Sequence, residues 1–143
     1  MNSRDIALGD VDGDGDLDAV VANYQQQNQL LINDGSGNFV ASFLPEPSLF
    51  ATGTQAVAMG DADSDGDLDV IVVNYQGFNL LLSNDGTGTF SYSPLPPVNQ
   101  TNTFNASDVA VGDLNGDGAI SPVDAHGLPN INTAGLLPDI YVI

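Results

Sequence analysis

The stretch Asp10-Val-Asp-Gly-Asp-Gly-Asp-Leu-Asp18 constrains this chain more than any other. Carboxylates fall on alternate positions of a short glycine-containing loop. The pattern recurs as Asp61-Ala-Asp-Ser-Asp-Gly-Asp-Leu-Asp69, and a third copy begins at Asp113-Leu-Asn-Gly-Asp-Gly118. Like charges this close repel unless a cation sits among them. An oxygen-only, carboxylate-rich loop with a turn-forming glycine suits a hard cation, Ca²⁺ above all. Side chains at positions 1, 3 and 5 can curl round one ion: Asp10, Asp12 and Asp14; Asp61, Asp63 and Asp65; Asp113, Asn115 and Asp117. Gly15, Gly66 and Gly118 at position 6 allow the sharp turn. Position 7 (Asp16, Asp67, Ala119) offers its backbone carbonyl, for which Ala119 serves as well as an aspartate. Position 9 (Asp18, Asp69) closes the shell. The plain alternative is a solvated acidic turn that binds nothing, and the evenly spaced repetition argues against it.

The loops sit in a longer repeat. A shift of 51 residues aligns positions 9–39 with 60–90 without a gap, with 20 of the 31 identical. Internal duplication governs the fold. Each unit reads as a short strand (Ile6–Gly9; Ala56–Gly60), the acidic loop, and an apolar strand (Ala19–Asn23; Val70–Asn74). A third strand follows (Gln29–Asn33; Asn79–Ser83), then a tight turn (Asn33-Asp-Gly-Ser-Gly37; Asn84-Asp-Gly-Thr-Gly88) and a fourth strand (Phe39–Phe43; Phe90–Tyr92). Runs such as Val70-Ile-Val-Val73 read as strands buried on both faces. Four antiparallel strands per unit describe a propeller blade. The fold class is therefore all-β, with about 2.5 propeller-type blades in one blade-repeat region spanning 1–143. Blade 1 covers about 5–50 and blade 2 about 55–100; a partial blade 3 covers about 107–143, with an insertion at 121–138. Tyr24 and Tyr75, at equal places after the second strands, read as blade packing.

Gly-Asp-x-Asp-x-Asp-Gly-Asp-x-Asp, an apolar strand, and then Leu-Leu-x-Asn-Asp-Gly-x-Gly-x-Phe resemble the FG-GAP/VCBS-type repeat of integrin-α-like calcium-binding propellers. The resemblance covers nearly the whole chain. It implies Ca²⁺ in the loop between the first two strands, at about three sites. It also implies an extracellular or cell-surface setting in adhesion, surface or polysaccharide-active proteins.

The third unit departs from the pattern. Position 9 is Ser121, followed by Pro122, and the expected Asp plus apolar strand returns only at Asp139-Ile-Tyr-Val-Ile143. Either Asp139 closes the site and 121–138 loop out, or residues 113–124 form a 12-residue loop of EF-hand type that ends on Asp124. The second match is slightly favoured. His126, just beyond, reads as a surface residue.

A ring needs about 4–8 blades. Two and a half leave apolar faces and strand edges open, which invites pairing. The partners expected are other copies of the chain or the rest of a longer propeller, with carbohydrate or a surface protein as adhesion ligand. Composition narrows the function further. The 143 residues carry a net charge of −18, with Arg4 as the only Lys or Arg. Nothing neutralises phosphates, so nucleic acid is excluded as an unaided partner. No apolar run reaches membrane-spanning length, so membrane insertion is not expected. Met1-Asn-Ser-Arg4 leads into a strand and does not read as a signal peptide. With no Cys, disulfides say nothing of the compartment. Asn99-Gln-Thr101 and Asn105-Ala-Ser107 are glycosylation sequons in a polar linker.

The leading expectation is a non-catalytic, calcium-binding extracellular module for adhesion or structure. A filament subunit assembled head-to-tail, with strands shared between copies, is the alternative. A carbohydrate-active enzyme ranks last. One His, one Arg and no Lys or Cys leave few general bases or nucleophiles. The carboxylates outside the loops are Glu46, Asp5, Asp34, Asp85 and Asp108. Of these, Asp34 and Asp85 fall in turns, and Asp5 and Asp108 begin strands.

Overall fold

Short β-branched and leucine-rich runs, punctuated by Asn, Asp and Gly turns, fold here as antiparallel meanders. The computed structural model describes residues 2–47, 53–75, 78–95, 107–111 and 140–142. In the first repeat β1 (Ser3–Gly9), β2 (Asp18–Asn23), β3 (Gln29–Asn33) and β4 (Phe39–Phe43) form one sheet in chain order. In the second, β5 (Thr54–Gly60), β6 (Asp69–Asn74), β7 (Leu80–Asn84) and β8 (Phe90–Pro94) do the same. In the third, β9 (Val109–Val111) pairs antiparallel with β10 (Ile140–Val142). There is no helix among the described residues. The all-β, blade-like architecture is as expected, and the sheets do not close into a ring.

β1 and β5 begin earlier than their apolar runs. Ser3 Oγ donates to Asn23 Oδ1 at 2.8 Å, and Thr54 Oγ1 donates to Asn74 Oδ1 at 2.9 Å. These bonds draw each strand's first residue into register beyond a bulge.

First strands of successive sheets are neighbours: β1 lies against β5, and β5 against β9. Alternation along β6 then serves two cores. Val70 and Val72 point into a cluster with Val20, Ala22 and Leu30 of the first blade. Ile71 and Val73 face a second cluster, against which Val109 and Val111 of β9 pack. All four β6 residues are fully buried. Each such side chain contributes about 1.5–3 kcal/mol. The tyrosines depart from the packing expectation: Tyr75 is exposed, and Tyr24 lies half-buried under Arg4, 4.9 Å from its guanidinium carbon.

A polar seam joins the blades. Asn28 Nδ2 donates to Glu46 Oε1 (2.7 Å) and to Thr54 Oγ1 (2.9 Å) of the next blade. Glu46 is buried, and its Oε2 has no hydrogen-bond partner. Burial pushes its pKa up, against the opposing bond from Asn28. A raised acid pKa favours the fold most at pH below the unfolded value of 4.5, and that contribution is lost as pH rises through the folded value. Glu46→Gln keeps the Asn28 bond and removes the buried charge. In chelator its stability should change less between pH 4.5 and 7 than the parent's; denaturant midpoints across that window check this.

Candidate metal centres

The acidic loops join the first two strands of each blade, as the register Gly9↔Asp18 and Gly60↔Asp69 requires. Asp18 and Asp69 open the second strands and are fully buried. Asp18 Oδ2 accepts from Val11 N (3.0 Å) and Oδ1 from Asn33 N (2.8 Å). Asp69 repeats this with Ala62 N (2.8 Å) and Asn84 N (2.9 Å). One carboxylate thus staples the start of the loop to the end of the third strand. Burial raises the Asp69 pKa, while the Asn84 and Ala62 N–H groups oppose the shift.

Position 1 organises the rest. Asp10 accepts from Gly13 N (2.8 Å) and Gly15 N (2.9 Å); Asp61 accepts from Asp65 N and Gly66 N, each at 3.1 Å. Gly15 and Gly66 stand at φ 93° and 98°. Side chains rarely adopt that conformation, which accounts for glycine at position 6. Ser64 holds φ 67° where Gly13 holds 76°. The second loop therefore carries local strain that the first does not.

Ligand atoms of Asp10, Asp12 and Asp18 lie within 4.8 Å of one another, as do those of Asp61, Asp63 and Asp65. Asp14 and Asp69 fall outside the group in their own loops. Asp16 and Asp67, at position 7, belong to neither group. Their carboxylates lie against Gly35 and Gly86 of the β3–β4 and β7–β8 turns. A Cβ on Gly86 would meet Asp67 Oδ2 at 2.6 Å, at φ +78°, whereas one on Gly37, at φ +84°, would meet nothing within 4 Å. Gly86→Ala is expected to lose about 2–3 kcal/mol and Gly37→Ala about 1 kcal/mol, since only the first adds a clash to the backbone strain. Urea midpoints of the two variants measure the difference.

The charge distribution leaves room for a cation. Burial raises the Asp12 pKa, and the carboxylates of Asp14, Asp18 and Asp10 add to it. Partial desolvation, followed by the Asp65 carboxylate, does the same for the exposed Asp63. Among the described residues no cation answers them: the chain's one Lys or Arg, Arg4, is engaged with Tyr24. An all-oxygen donor set of this kind fits a hard divalent ion. The third set, Asp113, Asn115, Asp117, Ala119, Asp124 and Asp139, lies outside the described residues, as do His126, Asn99 and Asn105.

The other described carboxylates do structural work. Asp34 accepts from Ser36 N (2.9 Å), Asn38 N (3.1 Å) and Asn38 Nδ2 (2.9 Å). The Asn38 side chain foremost lowers its pKa. Asp85 is lowered likewise, chiefly by the Thr87 hydroxyl at 2.6 Å. Asp5 Oδ2 accepts from Val57 N of the next blade at 3.1 Å.

Sequence reasoning missed a set of asparagines. Asn28 Oδ1 accepts from Asn23 N (2.7 Å) and Asn79 Oδ1 from Asn74 N (2.9 Å), closing the turns between second and third strands. Asn33 and Asn84 donate to Leu17 O and Leu68 O, each at 3.2 Å, tying the turn to the acidic loop. The signal was present: asparagine every fifth residue at 23, 28 and 33, and again at 74, 79 and 84.

Compared with known families, the chain matches the FG-GAP-like repeat over residues 10–72 and again over 61–120, each match opening on the first aspartate of a loop. Among curated proteins none matches.

Proposed function

The chain belongs to the FG-GAP-like repeat family, and on that premise we propose that it is a non-catalytic, calcium-binding module of propeller blades with an extracellular adhesive or structural role. The likeness to this repeat family implies a β-propeller-like module in an extracellular setting, and the two four-stranded sheets in chain order support the blade reading. The observation that carries the calcium reading is the repeated carboxylate group, with Asp10, Asp12 and Asp18 in one loop and Asp61, Asp63 and Asp65 in the next. Asp14 and Asp69 complete the sets by repeat equivalence, and Asp16 and Asp67 contribute main-chain carbonyls. Bound Ca²⁺ supplies the positive charge that the loops lack; the chain's own residues hold the loop shape through Asp10, Asp61 and the buried Asp18 and Asp69.

The third repeat takes a site of the same kind. Its register Val111↔Ile140 repeats Leu8↔Ala19, the pair next to Asp18. That supports Asp139 over Asp124 as the closing ligand. The non-catalytic reading is supported by the structural partners of Asp5, Asp34 and Asp85. An adhesive role takes carbohydrate or a surface protein as ligand.

Calorimetric titration with Ca²⁺ tests the proposal. The expected result is two to three ions per chain with Kd of roughly 10⁻⁴–10⁻³ M. Asp63→Asn with Asp65→Asn should remove one of them. Absence of binding at ten-millimolar calcium overturns the proposal.

A further inference from the structure

We infer that the face of blade 1 turned away from blade 2 is a docking surface for a second copy of this chain, arranged head-to-tail. Ile6, Leu8, Leu17 and Phe39 stand 56, 60, 59 and 51 % exposed on blade 1. One repeat on, the same positions are Val57, Met59, Leu68 and Phe90. Val57 and Phe90 are 5 and 9 % exposed, and all four pack in the core shared with blade 1. The repeat therefore shows what covers such a face: the opposite side of another blade, with residues placed like Ala7, Val20, Ala22, Leu30 and Ile32. Contiguous exposed apolar surface of this kind marks an interaction site.

The polar contacts carry the same message. Asn84 Nδ2 donates to Leu68 O of its own blade and, at 2.7 Å, to Val11 O of the blade before it. Asn33 Nδ2 makes the first bond, to Leu17 O, and has no counterpart of the second among the described residues. A methyl group on Gly88 would meet Val11, Asp12 and Ile32 of the preceding blade at 3.6–3.9 Å, whereas one on Gly37 would meet nothing within 4 Å. The Asn33–Gly37 turn is thus shaped to seat against the acidic loop of a preceding blade.

The opposite side of the chain is described at β9. Val109 and Val111 pack on blade 2, while Ala110 is exposed. Ala110 occupies the place of Ala7, which faces blade 2 in the first interface. β9 thus exposes, at Ala110, the Ala7-like side of the blade–blade contact opposite the bare face of blade 1, which allows a heterologous pairing that continues from copy to copy. The net charge of −18 opposes the approach of two copies over a Debye length, so association strengthens with salt. This inference goes beyond the calcium proposal and rests on the repeat geometry alone.

Sedimentation velocity over a concentration series, in calcium and in chelator at 0.15 and 1 M salt, tests it on the parent and two capped variants. Ile6→Glu with Leu8→Glu blocks one side and Ala110→Glu the other; all three sites are exposed, and circular dichroism verifies the fold. The parent should grow in mass with concentration. Each capped variant alone should stay monomeric, or need at least ten times the concentration. Mixing the two should give a particle of two chains and no larger. A monomeric parent under every condition overturns the inference, and so does an Ala110→Glu variant that associates like the parent. Neither result touches the calcium titration, so the two readings fail separately.

Discussion

Asp69→Asn is expected to destabilise the chain by about 2–5 kcal/mol, with calcium present or chelated. The reason lies in the backbone rather than in the metal. Asp69 accepts the N–H groups of Ala62 and Asn84, and all three residues are buried. Asparagine keeps one acceptor and turns an amide N–H₂ towards the other donor. A buried donor left without a partner costs about 1–3 kcal/mol, and a donor facing a donor adds to that. For a chain of this length the loss amounts to roughly 5–15 °C in Tm. Asp63→Asn is the control. Asp63 is exposed, so its substitution in chelator should move stability by less than about 0.5 kcal/mol. Thermal unfolding of both variants in chelator decides the matter: equal losses would remove the stapling role from Asp69.

The second large effect is expected from calcium. At the proposed Kd of roughly 10⁻⁴–10⁻³ M, ten-millimolar calcium should stabilise each loop by about 1.4–2.7 kcal/mol, so two loops should contribute about 3–5 kcal/mol. The pH dependence should reverse with the ion. Asp12 and Asp63 have raised pKa values in the metal-free fold. In chelator their contribution is therefore fully present below the unfolded value of 3.8 and is lost as pH rises through the folded values. Acidification from neutral towards pH 4 should then raise stability. In calcium the same protons compete with the ion, and stability should fall over that window. Asp34 and Asp85 act in the other sense: their lowered pKa values give stability that is present above 3.8 and lost only as pH falls through the folded values. Denaturant midpoints at pH 4 and 7, with and without calcium, read all four states. Identical slopes in calcium and chelator would contradict the account.

Much of this was legible in the sequence because the repeat writes each feature twice. The strands Gln29–Asn33 and Phe39–Phe43 fall at the residues the pattern predicts. The double burial of Val70 to Val73 follows from an apolar run without polar alternation. Polar residues were harder to place. Ser3 and Thr54 extend strands through hydrogen bonds to asparagines fixed by neighbouring turns, which no apolar pattern encodes. Asp18 and Asp69 read as ligands like the rest, yet their fully accepted backbone bonds set them apart. Nothing in the alternation of Asp10 to Asp18 distinguishes a carboxylate that faces the loop centre from one turned to a glycine turn, as Asp16 is. Glu46 has no repeat partner, since Pro97 stands in its place, so its burial between blades left no periodic trace.

The central claim is that each acidic loop holds one calcium ion. Crystals grown in millimolar calcium, with diffraction recorded for the anomalous signal of the ion, test it most directly. The account predicts one peak in each loop, ligated by Asp10, Asp12, Asp14 and Asp18 in blade 1 and by Asp61, Asp63, Asp65 and Asp69 in blade 2. The main-chain carbonyls of Asp16 and Asp67 should complete the shells, with their carboxylates still against Gly35 and Gly86. Loops without peaks, or ions held by the Asp16 and Asp67 carboxylates instead, would contradict it.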